Sequence, residues 1–129
     1  MRPGPPRGAT ATLEVTAGVG ASTGEGDPRV YATARLAEDV ERVCRDLLTP
    51  HLEEGEVAIG VRLELLHRAP VPEGEAVTLT ATVASVRPTE LTCEVIARHR
   101  GTIVARGSFE LRVVASPTFD AEVAARTGA

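Results

Sequence analysis

Residues 31–67 read YATARLAEDVERVCRDLLTPHLEEGEVAIGVRLELLH, and the apolar spacing changes midway through them. Up to Leu52 the apolar residues recur with a helical period; from Val57 they recur at every second position. On a helical wheel of about 100° per residue, Leu36, Ala37, Val40, Val43, Cys44, Leu47 and Leu48 form one arc. Arg35, Glu38, Asp39, Arg42, Arg45 and Asp46 occupy the opposite side. The pattern predicts a helix that starts near Thr33 and stops at Pro50. Two polar residues break the segregation: Thr33 falls inside the apolar arc and Glu41 at its edge.

Past the helix the two-residue period persists. Val57, Ile59, Val61, Leu63 and Leu65 share a face, with His67 in phase, and VPEG (71–74) turns the chain. Val77, Leu79, Ala81 and Val83 come next, then the turn RPTE (87–90), then Leu91, Cys93, Val95 and Ala97. After RHRG (98–101), Ile103, Ala105, Phe109, Leu111 and Val113 complete a last long strand. Upstream, ATATLEVT (9–16) also alternates. Short connections between alternating strands predict an antiparallel meander with one buried face.

A helix with one apolar stripe and a sheet with one apolar face must bury them against each other. The expected class is therefore α+β: an antiparallel β-sheet wrapped around one long central helix, the hotdog architecture. This domain spans 9–116, after a Pro/Gly-rich disordered segment (1–8) and before a C-terminal tail (117–129) read as a short helix or a frayed end. With aromatics limited to Tyr31, Phe109 and Phe119, one helix-on-sheet layer is a thin core. Association through a sheet edge into a homodimer is expected, with a tetramer left open.

Composition excludes several functions. A net charge of −4 over 129 residues argues against a nucleic-acid module. No apolar run reaches the ~20 residues that span a bilayer, and MRPGPPRGAT has no apolar core of a secretory signal. A cytoplasmic protein without membrane partners is expected. All 14 basic residues are Arg, and Lys, Asn, Gln and Trp are absent. Lysine Schiff bases and Asn or Gln oxyanion donors are thereby ruled out. No metal is implied, because His51, His67, His99, Cys44 and Cys93 share no ligand spacing; the two cysteines read as buried free thiols. In AGVGASTGEGDP (17–28), Gly18 and Gly20 follow a strand as in a dinucleotide fingerprint. Thr23 stands where the third glycine belongs, so the segment reads as a loop.

Thr33, Glu41 and His67 converge on the helix–sheet interface or its rim. A carboxylate beside an imidazole gives a controlled base, and a hydroxyl adds a donor. Thr33 and Glu41 lie roughly 12 Å apart along a helix, so they reach one His67 together only if the helix starts later or two subunits contribute.

Here VYATARLAEDVE, PHLEEGE and HRAPVPEG, within roughly residues 30–114, resemble the fluoroacetyl-CoA thioesterase family of hotdog proteins. The resemblance implies a catalytic set of Thr33, Glu41 and His67, with Gly60 contacting the acyl group. It also implies homodimers with sites at the subunit interface. The expected activity is hydrolysis of a small or medium acyl-CoA thioester to free acid and CoA, with no cofactor besides the CoA of the substrate. Glu41 would act as general base or nucleophile, His67 would polarise the carbonyl or protonate the thiolate, and Thr33 would orient. Arg98, Arg100 and Arg106 are candidates for the CoA phosphates. The alternatives are a non-catalytic hotdog dimer that binds acyl-CoA or a hydrophobic ligand, and an acyl-thioester hydratase.

Overall fold

The computed structural model describes residues 1–20 and 29–128. Strand β1 (Thr10–Thr16) precedes helix α1 (Thr33–Leu48), which ends in a 3-10 turn (Thr49–His51) carrying Pro50. Strands β2 (Glu56–His67), β3 (Ala76–Arg87), β4 (Glu90–His99) and β5 (Thr102–Ala115) follow, and helix α2 (Ser116–Arg126) closes the chain. All pairings are antiparallel, and the sheet order is β1-β3-β4-β5-β2. Segment 21–28, including Thr23 of the near-fingerprint, lies outside the described residues.

Helix α1 crosses the sheet and touches every strand. Leu36, Val40, Val43, Cys44, Leu47 and Leu48 are its buried residues, in one cluster with Leu79, Ala81, Leu91, Cys93, Val95 and Leu111. Each strand therefore presents its alternate apolar residues to the helix, and this is the hotdog arrangement. The strands β3 and β4 at the centre are buried on that face almost without interruption.

Strand β2 departs from strict alternation. Its register against β5 shifts between Gly60 and Arg62, which makes Val61 the extra residue of a β-bulge. Gly60 lies opposite Leu111 and Leu63 opposite Phe109, both buried. Opposed residues of an antiparallel pair share a face, so Leu63, Leu65 and His67 point toward α1, as do Ala58 and Gly60. Val57 and Ile59, opposite Val114 and Arg112, point outward, which corrects the single face expected for 57–67. An inserted residue flips the phase of everything on one side of it.

The N-terminal segment also differs from expectation. Met1 and Pro5 are buried, the Gly8 N–H donates to the Val83 carbonyl at 2.8 Å, and the Val83 N–H donates to the Ala9 carbonyl at 2.9 Å. Three prolines already restrict this stretch, so docking it removes less conformational freedom. At the other end the tail is helical and buries no residue. No helix among the described residues is long and apolar enough to cross a membrane.

On one side β2 pairs with β5; its other edge pairs with no described strand. Along it Val61 is 39% exposed, Leu63 41% and Leu66 55%. A long free edge carrying apolar side chains is a pairing surface.

Candidate active site

The chain entering α1 runs beside the chain leaving β2. The Tyr31 N–H donates to the Val71 carbonyl at 2.8 Å, and Val30 bridges Pro72. The first residue of the helix is thereby delivered to the end of the strand. Thr33 Oγ1 lies 3.0 Å from His67 Nδ1, although 34 residues separate them. Ala32 is the N-cap residue and supplies no side-chain cap, so the Thr33 hydroxyl serves His67 rather than the helix end. Thr33 is exposed, against the expectation that it sits within the apolar stripe, because the first turn of α1 projects past the cover of the sheet.

The other imidazole nitrogen, His67 Nε2, is buried with no hydrogen-bond partner among the described residues. Such an orphan costs about 1–3 kcal/mol. Tyr31 packs edge-on to the imidazole, with ring centroids 6.1 Å apart at 75°. Its hydroxyl donates to the Asp39 carboxylate. Burial, helped by that hydrogen bond, holds the Tyr31 phenol well above its ordinary range.

Glu41 lies elsewhere. Its carboxylate accepts from Arg45 Nε at 3.0 Å and Nη2 at 2.9 Å, and Arg45 Nη1 donates to the Ala58 carbonyl at 2.8 Å. That ties Glu41 to the start of β2, whereas Thr33 meets its end. Gly60 and His67 are roughly 20 Å apart along the strand. Within one chain the structure joins Thr33 to His67, and it holds Glu41, through Arg45, to Ala58 in the half of β2 that also carries Gly60.

Sequence reading missed Tyr31, Asp39 and Arg45. For Arg45 a signal existed, since Glu–Arg pairs four residues apart on a helix meet. Among the described residues no three His, Cys, Asp or Glu side chains cluster as a metal site would require. Cys44 and Cys93 are free and buried, and contact with Cys93 together with burial raises the Cys44 thiol. His99 Nε2 is 2.6 Å from Glu75, which Arg100 also contacts at 3.1 Å. His51 Nδ1 lies 3.2 Å from the Pro3 carbonyl oxygen. Arg98 and Arg106 line a hollow of about 620 Å³ on the outer face, across the sheet from α1.

The family described as fluoroacetyl-CoA-specific thioesterase matches residues 13–117. The chain belongs to this family. It is 32% identical over 102 residues to the fluoroacetyl-CoA thioesterase of Streptantibioticus cattleyicolor, covering 79% of this chain and 73% of that one. A thioesterase-superfamily member from Thermus thermophilus superposes with a TM-score of 0.90 at 26% identity, covering 99% of this chain and 96% of that one. A variant of the fluoroacetyl-CoA thioesterase in complex with acetyl-CoA superposes at 0.84 with 25% identity, over 95% and 98% of the two chains. As a member of this thioesterase family, the chain is a thioester hydrolase of the hotdog fold.

Proposed function

We propose that this protein hydrolyses a small or medium acyl-CoA thioester to the free acid and CoA, at a site that two copies of the chain complete. The observation that carries this reading is the Thr33–His67 pair, with Nε2 buried and unpartnered among the described residues. With the Thr33 hydroxyl donating to Nδ1, the ring proton resides on Nε2 and is free to donate to the thioester carbonyl oxygen. First-turn N–H groups of α1, which have no partner within the helix, add to that stabilisation.

The base comes from the second copy. Pairing the free edge of β2 antiparallel with its own counterpart, about a two-fold axis at Glu64 and with the bulged Val61 outside the register, sets Gly60 opposite the partner subunit's His67. Glu41, tied through Arg45 to Ala58, then lies beside the partner's Thr33 and His67. The exposed apolar side chains of Val61 and Leu63 support this pairing. Glu41 takes a proton from water as the water oxygen attacks the carbonyl carbon. The tetrahedral intermediate, its oxyanion held by His67, collapses with cleavage of the C–S bond. The CoA thiolate leaves and takes the proton that Glu41 holds.

Release of free thiol from short, branched, aromatic and long acyl-CoAs tests the reading. Glu41→Gln and His67→Asn should each slow hydrolysis by about 10²–10⁴-fold. Hydrolysis indifferent to Glu41→Gln contradicts the mechanism, and binding of acyl-CoA without hydrolysis favours a non-catalytic ligand-binding dimer.

A further inference from the structure

Gly60 has a neighbour that accounts for its lack of a side chain. A Cβ built there would stand 2.6 Å from Phe109 Cζ and 3.2 Å from Cε1. The tip of the phenyl ring therefore touches the backbone of β2 at its bulge. Phe109 is 5% exposed and reaches in from β5, opposite Leu63 on one side and Cys93 on the other. Its ring closes the space beneath Gly60 on the helix side of the sheet. Glu41 and Arg45 stand near the same stretch of β2, which Arg45 Nη1 holds at Ala58.

From this we infer that Phe109 is the floor of the acyl pocket and restricts this enzyme to short acyl chains. The inference rests on the two-copy site proposed above. In that site the thioester carbonyl is held by Thr33 and His67 of one copy, and the acyl group extends toward Gly60 of the other. The ring fills the space beneath Gly60, so an acyl chain that reaches this stretch of backbone ends against it. Phe109 is a specificity residue and touches the end of the chain rather than the carbonyl. Removing ring atoms opens the pocket along the acyl axis. Each additional methylene then accommodated is worth roughly a fourfold gain in kcat/KM.

The test is kcat/KM of the full chain for acetyl-, butyryl-, hexanoyl- and octanoyl-CoA, measured for the wild type, Phe109→Leu and Phe109→Ala. Alanine in this core position leaves a cavity that can unfold the chain, so the leucine variant serves if the alanine variant unfolds; circular dichroism and melting establish which is folded. The wild type should fall steeply beyond butyryl-CoA, and the folded variants should shift their optimum to hexanoyl- or octanoyl-CoA. An unchanged chain-length profile in folded Phe109→Leu overturns the inference and leaves the proposed function standing. A wild type that cleaves octanoyl-CoA as fast as acetyl-CoA overturns it without any variant. A wild type that cleaves none of the four overturns both readings.

Discussion

His67 carries two nitrogens with different fates. Nδ1 is held by Thr33, and Nε2 is buried without a partner among the described residues. Tyr31 holds the ring from the side, and its hydroxyl is committed to Asp39. Tyr31→Phe keeps the ring and removes that hydrogen bond. It should lower stability by about 1–2 kcal/mol in urea unfolding and change kcat by less than the Glu41 or His67 variants. A loss of activity as deep as theirs would show that the hydroxyl takes part in the chemistry. Thr33 and His67 stood out in the sequence as polar residues set into an apolar rhythm, and the structure brings these two together while it ties Glu41 to Arg45 instead. Tyr31 and Phe109 did not stand out, since an aromatic residue in a core-facing position has the same pattern whether it only packs or also shapes a site.

Among the elements, β2 is where sequence and structure part. The helix boundaries followed from the period and from Pro50, and the meander followed from alternation and turn residues. The bulge at Val61 left no mark, because both of its flanks alternate correctly and only their relative phase changes. Gly60 is the visible sign of it in the structure, where the strand bends under the Phe109 ring. Gly60→Ala should destabilise the fold by about 1–3 kcal/mol through overpacking against that ring, measured by thermal melting. A melting temperature equal to that of the wild type would mean the ring moves aside freely. The free edge of the same strand makes a second expectation. If two copies pair along this edge as proposed, Leu63→Arg, placing a charge on its partly exposed apolar face, should give a folded monomer by light scattering, in contrast to a dimeric wild type, and abolish thioester hydrolysis. A monomer with full activity would remove the partner from the site.

For the molecule as a whole, the order of strand, helix and four strands was sufficient to anticipate a sheet wrapped on a helix, since neither layer can bury its apolar face alone. Which strand would have a free edge was less legible: a sheet edge is defined by strand order, which local periodicity does not encode. Strand order is what leaves β2 with a free edge, and the course of α1 is what sends Glu41 toward one end of it and Thr33 toward the other. The central claim is that each site takes Thr33 and His67 from one copy and Glu41 from the other. Mixing Glu41→Gln with His67→Asn, after exchange of subunits, tests it most directly. Half of the dimers formed are then mixed, and each has one intact site of two, so the mixture should recover about a quarter of wild-type activity from two inactive parents. A mixture as inactive as its parents, with subunit exchange demonstrated, would contradict the shared site.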